Sequence, residues 1–236
     1  MISVMSTRPA EELGGRLEPA NGVSTKPGAS SLLGDGRRRA CRVIVVSVTS
    51  TRRKATYDDL LKVPEPLVAE IIDGELITSP RPAFPHALAA SAIGSALFDR
   101  FNRPPGDPAS PGGWWILYEP ELHLGDDVLV PDLAGWRRER MPVFPKVAAS
   151  EQAPDWVCEV LSSPTAPIDR GHKMRVYARE RVSHTWLVNP LGRTLEVYRF
   201  EGDRWIVVST HEGAKAVRAE PFDAIEIDMG RWWGDF

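Results

Sequence analysis

Polar and apolar positions alternate in short runs from about residue 57 onward, and each run ends on a turn signal. Thr56 followed by Tyr57-Asp58-Asp59-Leu60-Leu61 reads as a capped short helix. The segment Ala69–Ile77 is apolar on both sides of Asp73-Gly74, which predicts a β-hairpin. After the proline-rich connector Ser79–Pro85, residues Leu88, Ala92, Ile93, Ala96, Leu97 and Phe101 recur at helical spacing. They predict an amphipathic helix of about four turns starting at His86. Trp114–Leu124 and Val128–Val130 alternate around Gly125-Asp126-Asp127 and read as two strands, the second running into Pro131-Asp132. Asp155–Leu161 is apolar on both faces, as a central strand is. A helix over Asp169–Arg181 and a strand over His184–Asn189 follow, completing a parallel crossover unit. Leu195–Phe200 and Trp205–Ser209 make a C-terminal hairpin around Glu201–Arg204. The predicted fold is α/β, with a mixed central β-sheet flanked by helices. No internal repeat is visible.

Residues 1–50 break the pattern. Pro, Gly, Ser and Ala dominate positions 8–36, so this stretch reads as a disordered tail, with the globular domain over 51–236. Arg37–Arg39 and Arg42 flank the apolar run Val43–Val46, four residues long and too short to span a membrane. With 236 residues, 42% hydrophobic and 26% charged, the composition is that of a globular protein with an ample core. Cys41 and Cys158 build neither a disulfide framework nor a zinc knuckle, and no export signal is present, so the expected compartment is the cytoplasm. A net charge of −3 argues against indiscriminate coating of nucleic acid, although a local site can still be basic.

Two acids stand where the apolar pattern would not choose them. Asp132 follows Pro131 at a strand end, and Glu159 shares a strand face with Val157 and Leu161. A carboxylate there is costly unless a cation or hydrogen-bond donors hold it. The plain alternatives are a turn residue for Asp132 and an arginine ion pair for Glu159. Asp169, Lys173 and Tyr177, four apart, fall on one helix face; Asp169–Lys173 alone would be an ordinary surface pair. A tight crossover brings Lys173 back toward the carboxyl end of the 155–161 strand, where sites in open α/β sheets lie. Two carboxylates and a lysine suit metal-assisted phosphodiester hydrolysis. His86 reads as a phosphate contact, a supporting group or a polar helix-start residue. Cys158 points away from Glu159 and reads as a buried thiol, and the tryptophan pairs 114–115 and 232–233 read as packing.

The ordered set Glu70–Leu76, Pro85-His86, Pro131-Asp132-Leu133, Glu159–Thr165, Asp169 with Lys173 and Tyr177, and Trp186–Pro190 resembles the Uma-two family of restriction-endonuclease-like proteins, related to the PD-(D/E)XK nucleases. The resemblance spans roughly residues 55–210. It implies a restriction-endonuclease-like core and a Mg²⁺-dependent DNA endonuclease, with Mn²⁺ as a substitute ion. It implies Asp132, Glu159 and the Val160 carbonyl as metal ligands, Lys173 as the catalytic lysine, and Glu70 as an accessory acid, with His86, Asp169 and Tyr177 in support. The chain departs from the wider pattern at Leu161, where a lysine would stand, so Lys173 would be a migrated one. The expected partner is DNA, and a homodimer would let both strands be cut. Arg81, Arg170 and Arg175 would form a basic rim. The competing readings are a nuclease-like fold that binds nucleic acid or protein without cutting, and a two-carboxylate glycosidase using Asp132 and Glu159.

Overall fold

The computed structural model describes residues 53–106 and 110–234; the expected tail at 1–50 lies outside the described residues. The elements run α1 (Tyr57–Leu60), β1 (Leu67–Ile72), β2 (Glu75–Pro80), α2 (Phe84–Phe101), β3 (Trp114–Tyr118), β4 (Glu121–Leu124), β5 (Asp127–Leu129), β6 (Leu133–Arg137), β7 (Ala149–Ser150) and β8 (Trp156–Val160). A composite helix follows, made of α3 (Ala166–Ile168), a π-helical turn (Asp169–Lys173) and α4 (Met174–Arg179). Strands β9 (His184–Asn189), β10 (Thr194–Glu201), β11 (Arg204–Glu212), β12 (Ala216–Val217) and β13 (Ile227–Asp228) and a 3₁₀ turn (Met229–Trp232) complete the chain.

Local chemistry explains the element ends. Thr56 opens α1 in a capping box, its N–H and hydroxyl donating to Asp59 Oδ2 at 3.0 and 2.8 Å. The β1–β2 hairpin turns at Asp73 and Gly74, whose φ angles of 55° and 80° are the left-handed pair that an Asp-Gly turn provides. α2 begins at Phe84, two residues before the expected start, and buries Ala89, Ile93, Gly94, Leu97 and Phe101.

The strands form a six-stranded mixed sheet, β11-β10-β9-β8-β6-β3, and a five-stranded sheet, β2-β1-β5-β4-β7. β8 is central and buried along its whole length, and it pairs in parallel with β9, as the crossover unit requires. On one face of the larger sheet, α2 and the C-terminal segment close a core with Phe222 at its centre. That ring lies 4.7 to 5.7 Å from the rings of Phe101, Trp114, Trp156 and Trp186. Such tilted and edge-on pairs add about 0.5–1.5 kcal/mol each beyond area burial. On the other face, Leu122, Leu129, Ala134, Val157, Val176 and Tyr177 pack the second sheet and α4 against the first.

Three expectations need correction. Trp114–Leu124 is not one strand: Glu119 takes a φ of 42° and Pro120 has no N–H to give a ladder, so β3 and β4 part there into different sheets. Asp132 does not close the strand before it. β5 ends at Leu129, and after Pro131 the chain enters β6, a strand the apolar pattern does not single out, so Asp132 stands just ahead of β6. The crossover helix also begins earlier, at Ala166, and carries a π turn that spacing alone does not reveal.

Candidate active site

The two sheets diverge where the chain passes from β5 through Val130, Pro131 and Asp132 into β6. Each neighbouring element contributes one or two polar side chains to that seam: Glu70 from β1, His86 from the first turn of α2, Glu159 from β8, and Asp169 and Lys173 from the π turn. The β6–β8 register pairs Leu133 with Cys158, and one further step sets Asp132 beside Glu159. These residues, with Val160 and Arg81, line a pocket of about 190 Å³.

Lys173 is the hub. Its Nζ lies 2.9 Å from Glu70 Oε1, 3.2 Å from Glu159 Oε2 and 3.4 Å from Asp169 Oδ1. All four side chains expose less than a tenth of their surface. The widened π turn seats Asp169 and Lys173 together on the pocket side. Tyr177, one turn on, donates its hydroxyl to Glu159 Oε1 at 2.5 Å. Backbone donors hold the outer acids: Val130 N–H reaches Glu70 Oε1 at 2.8 Å, and Val160 N–H reaches Asp132 Oδ2 at 2.7 Å. His86 Nε2 lies 3.1 Å from Asp132 Oδ1.

The electrostatics follow from this crowding. Burial pushes the Glu159 carboxyl well above the usual range; Lys173 opposes that, while Asp169, Asp132 and Glu70 reinforce it. Burial also raises Asp169, again against the pull of Lys173. For Lys173 burial favours the neutral amine, but Glu159, Glu70 and Asp169 outweigh it and hold its pKa well above the ordinary value, so it stays an ammonium. Burial and the Glu159 charge raise the Tyr177 phenol. Burial would lower His86, yet the bond to Asp132, that charge and the Val160 backbone carry it upward.

The residues expected from sequence to form or support the catalytic centre converge here: Glu70, His86, Asp132, Glu159, Val160, Asp169, Lys173 and Tyr177. Glu119 also lines the pocket; its positive φ beside Pro120 is a conformational feature that composition does not signal. The three arginines of the expected rim are differently placed. Arg81 lines the pocket, whereas Arg170 is paired with Glu196 and Arg175 with Asp73. Among the described residues no three His, Cys, Asp or Glu side chains form a group that would hold a metal ion. The groups expected to hold an ion, Asp132, Glu159 and the Val160 carbonyl, offer hard oxygens of the kind Mg²⁺ prefers. All four oxygens of Asp132 and Glu159 already face protein donors.

A family model described as "Putative restriction endonuclease", Uma2, matches residues 55–230. The chain belongs to the Uma2 family. The crystal structure of "a putative nuclease belonging to DUF820" from Anabaena variabilis ATCC 29413 shares its fold, with a TM-score of 0.57 at 23% identity over 76% of this chain and 97% of that one. Among curated proteins no relative matches. In this Uma2 chain the family match ends at residue 230, within the 3₁₀ turn Met229–Trp232, and so takes in the C-terminal segment around Phe222 as well as the pocket.

Proposed function

We propose that this Uma2 protein is a divalent-metal-dependent endonuclease that hydrolyses phosphodiester bonds in DNA, with Mg²⁺ as its ion and Mn²⁺ as a substitute. The observation that carries the reading is the pocket itself, where three carboxylates, Glu70, Glu159 and Asp169, crowd a single buried ammonium and Asp132 adds a fourth carboxylate that repels Glu159. Burying that much uncompensated charge works against folding, and such strain gathers at sites where a further cation or a developing charge will be met.

Asp132, Glu159 and the Val160 carbonyl would hold the ion, the only partners needed beside water for a cation that keeps much of its hydration. When bound, Mg²⁺ would supply Lewis-acid polarisation of the phosphate and a more acidic attacking water. Lys173, kept protonated by its three carboxylates, acts as a fixed cation that orients water and offsets negative charge in the transition state. It is therefore not the group that takes the proton. Glu70 and Asp169 fix the position of its ammonium, and Tyr177 fixes the carboxylate of Glu159. Arg81, on the pocket wall, is placed to meet a flanking phosphate. A homodimer would let both strands be cut, and β11 at one end of the larger sheet offers an edge for pairing.

A second reading, a nuclease fold that binds nucleic acid or protein without cutting, is favoured by the lack of a three-side-chain metal group among the described residues and by Leu161 in place of a lysine. The glycosidase reading finds no aromatic floor, since Trp114, Trp136, Trp156, Trp186 and Trp232 are all buried in the core. The deciding experiment is cleavage of supercoiled plasmid and of single-stranded DNA with Mg²⁺ or Mn²⁺ against EDTA. The nuclease predicts metal-dependent nicking that Glu159→Ala and Lys173→Ala both abolish. Nicking that persists in Glu159→Ala would overturn the site; no nicking on either substrate would favour the binding module.

A further inference from the structure

A second, smaller pocket of about 140 Å³ adjoins the first and shares His86, Asp132, Glu119 and Pro82 with it; Ser91 and Tyr118 help to line it. The His86–Asp132 pair is thus the partition between two spaces. On the side of the carboxylates, the imidazole Nε2 lies 3.1 Å from Asp132 Oδ1. Asp132 is one of the groups assigned above to the metal. A ring nitrogen at that distance takes the side of the Asp132 carboxylate that a cation bound to it would need.

The arrangement leaves His86 incompletely satisfied. With Nε2 turned to Asp132, Nδ1 is buried and has no hydrogen-bond partner. A buried polar atom without a partner is costly, so this rotamer persists only while Asp132 holds it. The other space offers an alternative partner. Glu119 borders both pockets, its side chain is exposed, and its backbone sits at a φ of 42°, where a non-glycine residue is strained. Its N–H donates to the Asp132 carbonyl at 3.0 Å, which fixes this corner beside the site.

We infer that His86 and a divalent cation compete for one seat on Asp132, and that the ring leaves it by turning into the smaller pocket toward Glu119. This rests on the metal-dependent reading above and assigns to His86 a positioning role, not a ligand role. It makes metal affinity a property set jointly by the carboxylates and by how readily the imidazole is displaced.

Calorimetric titration of the full chain with Mn²⁺ alone, without DNA, tests this. His86→Ala removes the competitor, and its dissociation constant is expected to fall about tenfold below that of the wild type, as the loss of one charge-assisted hydrogen bond implies. His86→Gln, which can still offer an N–H to Asp132, is expected to return to the wild-type value. Glu119→Gln, with a weaker partner for the displaced ring, is expected to bind more weakly. A merely structural role for His86 cannot tighten metal binding on truncation. Unchanged or weaker binding by His86→Ala, where the wild type does bind Mn²⁺, overturns this inference alone. Failure of the wild type to bind Mn²⁺ overturns the metal-dependent function together with it.

Discussion

Lys173 Nζ lies 3.2 Å from Glu159 Oε2, with the two side chains only 6% and 3% exposed. Neither would sit there by its own preference, since burial penalises both charged forms. The pair is also unbalanced, because Glu70 and Asp169 claim the same ammonium. Removing one carboxylate should therefore relieve repulsion without stranding the lysine. Glu159→Gln can accept from Lys173 through its amide oxygen and donate to a reoriented Tyr177 hydroxyl. It is expected to raise stability by about 1 kcal/mol, roughly 2–4 °C in Tm, while abolishing cleavage. Thermal denaturation at neutral pH without divalent ions checks it; a fall in Tm would mean that Glu159 is chiefly a structural partner of Lys173.

The opposite change should do the opposite. Lys173→Met leaves Glu70, Asp132, Glu159 and Asp169 in one pocket with no lysine among them. Breaking a buried pair in this way costs about 3–5 kcal/mol. Added Mg²⁺ should recover part of the loss by occupying the acids, about 2.7 kcal/mol at a hundredfold excess over its dissociation constant. The readout is Tm with and without Mg²⁺, and cleavage should stay absent in both. A variant as stable as the wild type would show that the acids do not depend on the ammonium.

The approach of α2 to β3 governs the same site from outside. A Cβ on Gly94 would lie 2.0 Å from the Tyr118 hydroxyl oxygen, so the tyrosine ring crosses the helix where only glycine leaves room. Gly94→Ala must push the helix or the ring aside, at about 1–3 kcal/mol by the usual cost of overpacking. Since α2 carries His86 and β3 leads into Glu119, the shift should also disturb the seam. The double variant Gly94→Ala/Tyr118→Ala is expected to cost less than the sum of the two single changes, which urea unfolding of all four proteins would reveal.

How much of this was legible in the sequence depends on which force fixed each residue. The Asp73-Gly74 hairpin, β9 and the C-terminal hairpin are local patterns, and they fold as those patterns say. That Lys173 returns toward Glu159, with Tyr177 on the same helix face, is readable because helical spacing and a tight crossover are both short-range; that Tyr177 bonds Glu159 directly is not. The parting of β3 from β4 was not, since a Pro120 in an otherwise alternating run signals an interruption but not a change of sheet. Nor does sequence separate site acids from structural ones. Asp127 and Asp155 are as buried as Glu159, yet each is satisfied: Asp127 by Asp73 N–H and Arg179, Asp155 by Arg137 N–H and Arg140. What marks Glu70, Glu159 and Asp169 is that they crowd one shared lysine, a fact that exists only in three dimensions.

Away from the pocket, one carboxylate sets part of the acid limit of stability. Glu196 accepts from Arg170 at 2.8 Å and from the Tyr198 hydroxyl at 2.6 Å, and the Arg170 bond foremost lowers its pKa below the ordinary 4.5 against the effect of burial. A carboxyl whose folded pKa is depressed contributes stability above its unfolded value, and that contribution is lost as pH falls through the folded one. The window therefore opens near pH 4.5 and extends downward. Arg170→Met should lower the urea midpoint at pH 7 by an amount corresponding to at most about 1 kcal/mol, as for a partly exposed pair. Below the folded pKa the Glu196 carboxyl is protonated in both proteins, so the two midpoints should draw together as pH falls below 4.5. Glu159 and Asp169 titrate in the opposite sense, but they do so in wild type and variant alike and drop out of the difference. A gap that stays constant from pH 7 to pH 3 would mean that Arg170 stabilises through its aliphatic stem and not through its charge.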